Sequence, residues 1–292
     1  MKALIFPGQG SQFSGMGLDL YKSDATAKSL FKIANDILNF DISRIMFEGS
    51  IEDLKQTNVT QPAIYIHSTI LAKCVKNLIP KMVAGHSLGE FSALVAANTL
   101  SFEDGLKLVS KRAELMHVAC QENNSTMAAI IGLEVDIINE VCQDTRGIVV
   151  PANYNSPGQI VISGNDKSVE EACKTLSKKG AKRALILPVA GAFHSPLMAS
   201  AKEELEETIN EMEFKKPICP IYQNVCANAV LLENEIKQNL IKQLTAPVKW
   251  QQTIEQMIKE GATEFIEVGP GNVLSGLNRR INRNIKSSKA TL

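Results

Sequence analysis

The sequence predicts an α/β protein: a parallel sheet covered by helices, with a small domain inserted into it. Short apolar runs alternate with helical stretches along most of the chain, the pattern of repeated strand and helix units. Between Met127 and Leu187 the alternation tightens into the order βαββαβ, a ferredoxin-like arrangement. A length of 292 residues accommodates either two average domains or one α/β body with an insertion. In order, Ala3 to Phe6 reads as a buried strand, a long helical region begins near Ala25, and Thr60-Gln61-Pro62 opens another helix with Pro62 in its first turn. Lys81 to Ala84 is a short strand followed directly by a helix from Glu90 to Ala97. Ser101 with Asp104 forms a variant capping box for a helix running to about Gln121.

The compact stretch reads as strand Met127–Ile131, helix Val135–Cys142, strands Ile148–Ala152 and Gln159–Ile162, helix Ser168–Lys178 and strand Arg183–Leu187. A helix from Ser195-Pro196, a strand near Pro220–Tyr222, a helix around Pro247–Glu260, the strand Thr263–Val268 and a last helix from Asn272 then return the chain to the larger body. Residues 1–124 and 191–292 are therefore expected to form the large domain and 125–190 the insertion, with a cleft between them. The polar tail Lys286–Leu292 is expected to be loose.

Composition narrows the function. Hydrophobic residues make up 45% and charged residues 21%, which excludes collagenous and disordered classes. The formal net charge of +0 argues against a nucleic-acid binder that relies on bulk positive charge. Six cysteines without a CxxC pair, and four histidines that do not cluster with them, give no expectation of a structural metal and suggest a reducing, cytoplasmic compartment. No apolar stretch approaches membrane-spanning length.

Gly85-His86-Ser87-Leu88-Gly89 is a GxSxG sequence between an expected strand and an expected helix, the context of a nucleophile elbow and of an α/β-hydrolase-like large domain. Flanking glycines suit a turn in which neighbouring backbone approaches closely. The Leu88 amide, at the helix start, would face an oxyanion formed on Ser87. Of the four histidines, His67 and His117 fall inside expected helices and His86 should point away from Ser87. His194 lies in a loop at a strand end, where a base for Ser87 could sit, although such loops also hold ordinary polar residues. No acid precedes it at the place a hydrolase triad requires, so a backbone carbonyl is the alternative orienting group. Arg112 falls at the edge of an apolar helical stripe and reads either as an anion-binding guanidinium or as an arginine snorkelling past the core. Phe6-Pro7-Gly8-Gln9-Gly10-Ser11-Gln12 matches no nucleotide-binding motif, but its Gln9 amide could be a second oxyanion donor.

Six segments carry a resemblance: FPGQGSQ at Phe6–Gln12, TQPA at Thr60–Ala63, GHSLGE at Gly85–Glu90, NSPGQ at Asn155–Gln159, AFH at Ala192–His194 and EVGPG at Glu267–Gly271. Together, in this order, they resemble the malonyl-CoA:acyl carrier protein transacylases of dissociated fatty acid synthesis. The resemblance implies Ser87 as the acylated nucleophile, His194 as its base and Arg112 as the malonyl carboxylate site. It further implies Gln9 and Leu88 as oxyanion donors, Gln61 in the cleft and the backbone carbonyl of Lys249 as the group that receives His194. Malonyl-CoA and holo acyl carrier protein would be the substrates, with no cofactor, in a cytoplasmic monomer. Phe193 would limit branching at the malonyl α-carbon. Basic residues at Lys178, Lys179, Lys182 and Arg183, or at Arg279, Arg280 and Arg283, could meet an acidic carrier, although solvated charge also explains each group. A serine thioesterase, or a catalytically silent carrier-binding subunit, are the competing classes.

Overall fold

Leu4 and Phe6 of β1 (Lys2–Phe6) join one buried cluster, while Ala3 and Ile5 join another on the opposite side. A strand buried on both faces with period two belongs inside a doubly covered sheet. The structure, a computed structural model, describes residues 1–76, 78–189 and 191–292. After β1 come α1 (Leu18–Ser23), α2 (Ala25–Leu38), α3 (Ile42–Glu48), α4 (Thr57–Cys74), β2 (Met82–Gly85), α5 (Gly89–Ala96) and α6 (Phe102–Glu122). A second unit follows as β3 (Ser125–Ile131), α7 (Val135–Asp144), β4 (Val149–Ser156), β5 (Gln159–Asn165), α8 (Asp166–Lys178) and β6 (Arg183–Ile186). The chain then adds α9 (Ala199–Glu211), β7 (Ile221–Tyr222), β8 (Ala229–Val230), α10 (Glu233–Lys242), α11 (Trp250–Lys259), β9 (Glu264–Glu267), α12 (Val273–Ile281) and β10 (Lys286–Lys289).

The larger sheet has the order β10-β9-β1-β2-β7-β8 and is parallel except for β8, which runs antiparallel to β7. The smaller sheet, β4-β5-β3-β6, is antiparallel throughout and packs α7 and α8 over its own apolar core. The alternation of strands and helices predicts an α/β fold with a parallel sheet; the α/β fold is present, and the antiparallel β8 makes its larger sheet mixed. Backbone bonds join the two units: the Tyr154 N–H donates to the Val248 carbonyl at 2.9 Å and the Val248 N–H to the Ala152 carbonyl at 2.8 Å. Ala190, the last residue of the expected insertion, lies outside the described residues.

Three features depart from the sequence reading. α4 begins at Thr57, so Pro62 lies inside it. The Gln56 carbonyl already accepts the Val59 and Thr60 amides at 2.8 and 2.7 Å. Residues from Val59 to Leu71 of α4 are buried, and packing outweighs the hydrogen bond that proline cannot donate. The tail expected to be loose forms the edge strand β10: the Ala290 N–H donates to the Glu267 carbonyl at 2.8 Å, and Lys286 pairs with Glu264 at 2.8 Å. Polar side chains say nothing about whether backbone pairs at a sheet edge. β8 and α10 are not anticipated by the sequence reading, because a two-residue strand has no periodicity to detect. Among the described residues, no helix is long and apolar enough to cross a membrane.

Candidate active site

The site starts from steric necessity at the end of β2. A Cβ on Gly85 would lie 1.9 Å from the Gly89 carbonyl carbon, one on Gly89 would lie 2.0 Å from the Phe6 oxygen, and one on Gly8 would lie 2.5 Å from the His86 oxygen. Only glycine fits these three places, which leaves room for a turn tight enough to put Ser87 in the left-handed region, at φ 51°, at a cost of about 1–3 kcal/mol. The Ser87 N–H is taken up by the Asn224 Oδ1 at 2.7 Å, and its carbonyl accepts from the Gln243 Nε2 at 3.1 Å. His86 does point away: its Nε2 lies 2.8 Å from the Asn155 Oδ1 of the smaller sheet and its ring packs on Trp250.

His194 reaches Ser87 from the loop after β6. The loop is tied by the Ser195 hydroxyl, which donates to the Ala192 carbonyl at 2.7 Å and accepts the Leu197 amide at 3.2 Å. His194 is also left-handed, at φ 58°. Its Nδ1–H donates to the Gln243 carbonyl at 2.9 Å, which leaves Nε2 as the acceptor for the Ser87 hydroxyl at 2.7 Å. The expectation that Lys249 supplies this carbonyl is therefore corrected. The Lys249 carbonyl caps α11, accepting the Thr253 N–H at 2.9 Å and the Thr253 hydroxyl at 2.8 Å, and has no lone pair aimed at the histidine. Among the described residues no carboxylate hydrogen-bonds His194.

Burial first, and then the Arg112 cation, pull the His194 pKa down to about 3. The imidazole therefore stays an unprotonated base well below neutrality. kcat/KM should show no histidine-shaped fall from pH 8 to about pH 5.5. Stability should behave oppositely. The unfolded chain protonates its histidines below about pH 6.5, whereas His67 is held down to about 4 and His194 to about 3, in both cases mainly by burial. Acidification thus favours the unfolded state, and stability present above pH 6.5 should be lost by up to about 1.4 kcal/mol per pH unit for each such histidine. Melting temperature and initial rates measured over the same buffers check both halves.

Arg112 projects from α6 and is 1% exposed, so the snorkelling reading fails. Its Nη1 donates to the Gln61 Oε1, and its Nη2 to the Gln243 Oε1 at 3.2 Å and the Ser87 Oγ at 3.1 Å. The guanidinium stands 5.5 Å from the Phe91 ring centre, and its Nε has no hydrogen-bond partner among the described residues. Burial lowers its pKa to about 10, which leaves it cationic at neutral pH. Gln61 is fixed from the other side, its Nε2 donating to the Met116 sulfur at 3.4 Å.

Ser87, His194 and Arg112 line a cleft of about 520 Å³ between the two sheets. Gln9, Leu88 and Phe193 line it too; Met127, Ala129 and Val161 of the smaller sheet supply an apolar wall. The Gln9 and Leu88 amides make no hydrogen bond among the described residues, and Leu88 leads into α5, whose amino end favours negative charge. Chemically, the arrangement offers a hydroxyl nucleophile with a neutral base, free amide donors and a buried cation beside the nucleophile.

A family model described as "Acyl transferase domain" matches residues 3–291. The chain belongs to the acyl transferase family. Within it, the acyl transferase is 44% identical over 287 residues to the malonyl CoA-acyl carrier protein transacylase of Staphylococcus aureus strain MRSA252, covering 97% of this chain and 93% of that one. Identity is also 44%, over 290 residues, to the protein of the same description from Bacillus subtilis strain 168, with 98% and 92% covered. Among solved structures, an acyl carrier protein S-malonyltransferase from Vibrio cholerae superposes with a TM-score of 0.95 at 42% identity, covering 99% of this chain and 96% of that one. A malonyl-transacylase in complex with its type II PKS acyl-carrier protein superposes at 0.93 and 38% identity, with 100% and 95% covered.

The structure gathers Ser87, His194, Arg112, Gln9, Leu88 and Phe193 of the acyl transferase at one cleft, buries Gln61 against Arg112 rather than on the cleft wall, and leaves Lys249 out. Sequence reasoning misses Gln243, which holds His194 by its backbone and Arg112 and Ser87 by its side chain. No local signal marks Gln243, because every residue carries a main-chain acceptor. Asn224 and Glu90 are missed as well, and no local signal marks Asn224.

Proposed function

We propose that this acyl transferase moves a malonyl group from malonyl-CoA to the phosphopantetheine thiol of acyl carrier protein through a malonyl-serine ester. The observation that carries the reading is Arg112, a buried cation 3.1 Å from the Ser87 hydroxyl. A thioesterase for simple acyl chains has no use for such a group, whereas a free carboxylate on the acyl chain pairs with it by two parallel hydrogen bonds. The malonyl names of the relatives support the same substrate.

Ser87 Oγ attacks the thioester carbon as its proton passes to the His194 Nε2, and the Gln9 and Leu88 amides hold the oxyanion. The C–S bond breaks, and the imidazolium returns its proton to the CoA sulfur. The carrier thiol then enters, loses its proton to His194 and attacks the ester, restoring the Ser87 hydroxyl. The cycle uses the two substrates without a cofactor, and one chain supplies every group it needs, in keeping with a monomer; the free cysteines are in keeping with a cytoplasmic location. Phe193, in the wall of the same cleft as Ser87, disfavours a branched α-carbon. The finer architecture belongs to the same reading: 125–190 as a ferredoxin-like insertion into the large domain of 1–124 and 191–292, supported by the βαββαβ order and antiparallel pairing. For the carrier we favour the side of Arg279, Arg280 and Arg283, because α12 lines the cleft through Val273 and Leu277 and Arg280 bonds Gln159 at its rim. Lys179, in the other cluster, pairs with Glu140 at 3.3 Å.

Intact-protein mass spectrometry after separate incubation with malonyl-CoA and acetyl-CoA, before and after addition of holo acyl carrier protein, tests the reading. A malonyl adduct that discharges onto the carrier is expected. Steady release of free malonate without an adduct would establish a hydrolase instead, and neither adduct nor turnover would leave a carrier-binding subunit.

A further inference from the structure

A buried carboxylate stands behind the elbow with no part in the chemistry above. Glu90, in the first turn of α5, is 0% exposed, and accepts the Asn224 N–H at 2.9 Å and the Gln223 Nε2 at 2.9 Å. The Asn224 side chain then turns to the elbow: Nδ2 donates to the Gly85 carbonyl at 2.6 Å, and Oδ1 accepts the Ser87 N–H at 2.7 Å. One amide thus grips the residue that ends β2 and the serine in its left-handed conformation. Gln223 is secured in turn, its Oε1 accepting from the Asn239 Nδ2 at 3.0 Å and its Nε2 also donating to the Ile236 carbonyl at 3.1 Å.

We infer that Asn224, anchored by Glu90, is the positioning residue that holds Ser87 in its reactive conformation. The inference rests on Ser87 being the acylated nucleophile. A serine at φ 51° persists only where its surroundings over-determine it. The three glycines make the turn sterically possible; they do not hold it. The Ser87 N–H is held by the Asn224 side chain, whereas its carbonyl accepts both the Glu90 N–H at 3.0 Å and the Gln243 Nε2, so Asn224 is the hold on the amide side of the serine. Releasing the N–H lets the turn relax toward ordinary dihedrals, which swings Oγ away from His194 and turns the Leu88 amide from the oxyanion. Asn224 is buried and is not among the residues that line the cleft, so substrate binding has no direct stake in it.

Asn224→Ala should lower kcat for malonyl transfer by about 100-fold, the order expected for a displacement of about 1 Å at a nucleophile. KM for malonyl-CoA should change by less than about threefold, because no binding contact is removed. Labelling of Ser87 by a fluorophosphonate should slow by the same factor as kcat. The control for mere destabilisation is Leu240→Ala, a fully buried core position on α10, the helix whose Ile236 and Asn239 bond Gln223. It should lower the melting temperature while leaving kcat and labelling within about twofold. If Asn224→Ala fails to fold, Asn224→Asp serves, since it keeps the acceptor for Ser87 but sets a second carboxylate beside Glu90 and loses the donor to Gly85. A kcat loss of about tenfold with KM unchanged is expected there. Losses no larger than those of Leu240→Ala, or confined to KM, would overturn the inference. An unsubstituted enzyme that is labelled at Ser87 yet takes no malonyl from CoA would sink the substrate reading and leave the positioning test intact.

Discussion

Replacing Ser87 by alanine should remove the malonyl adduct altogether and lower transfer to the carrier by at least about 10⁴-fold, as expected when a nucleophile acting in one unit with its base is deleted. The geometry makes the loss complete rather than partial. Ser87 Oγ is the atom that meets both the His194 Nε2, at 2.7 Å, and the Arg112 Nη2, at 3.1 Å. The backbone of the turn is held by Asn224 and Gln243 through main-chain atoms, so an alanine there keeps the fold. Melting temperature should therefore stay within a few degrees, and binding of malonyl-CoA should survive. Direct transfer to the carrier without an adduct, in wild type or variant, would contradict a covalent cycle; intact mass and equilibrium binding decide between these outcomes.

Arg112→Ala should lower kcat/KM for malonyl-CoA by about 10³-fold, close to 4 kcal/mol of lost pairing with a desolvated carboxylate. Activity with acetyl-CoA should change by less than about tenfold, so that the preference for malonyl disappears. The effect is large because the guanidinium is buried, stays cationic, and has an orientation fixed by Gln61 and Gln243 before any substrate arrives. Arg112→Lys keeps a charge but cannot bond both amide oxygens and present a fork at once, and should still lose about 100-fold with malonyl-CoA. Both variants leave buried amide oxygens without a donor, at about 1–3 kcal/mol each, so some fall in melting temperature accompanies them. An equal loss with both CoA esters would show that Arg112 supports the site without selecting the substrate.

Much of this site was legible in the chain because its strongest constraints are local. The glycines of Gly85–Gly89 are dictated by contacts within one turn and with β1, and any Cβ there meets backbone at about van der Waals overlap. The Ser101 cap is a three-residue affair, with the Asp104 amide donating to the Ser101 hydroxyl at 2.9 Å. His194 stood out by its place in a loop after a strand. Arg112 was ambiguous, since periodicity puts it at the edge of a stripe without saying whether solvent or protein lies beyond; only its burial against Gln61 and Gln243 resolves the matter. The orienting carbonyl was misplaced at Lys249 because a main-chain acceptor leaves no trace in residue type, and every residue has one.

The sequence by itself determined the alternating strands and helices, the elbow with its serine, and His194 and Arg112 as candidates to serve it. Those depend on side-chain periodicity and on sterics that act over a few residues. Tertiary structure decided which polar groups meet: Asn224 binds Ser87 across 137 positions of chain and Gln243 across 156. It also decided that a polar tail becomes the edge strand β10 and that a proline sits inside α4. Hydrogen bonds between distant segments form only after burial has brought those segments together, and a loop amide in a sequence carries no mark of the group it will face once packing excludes water.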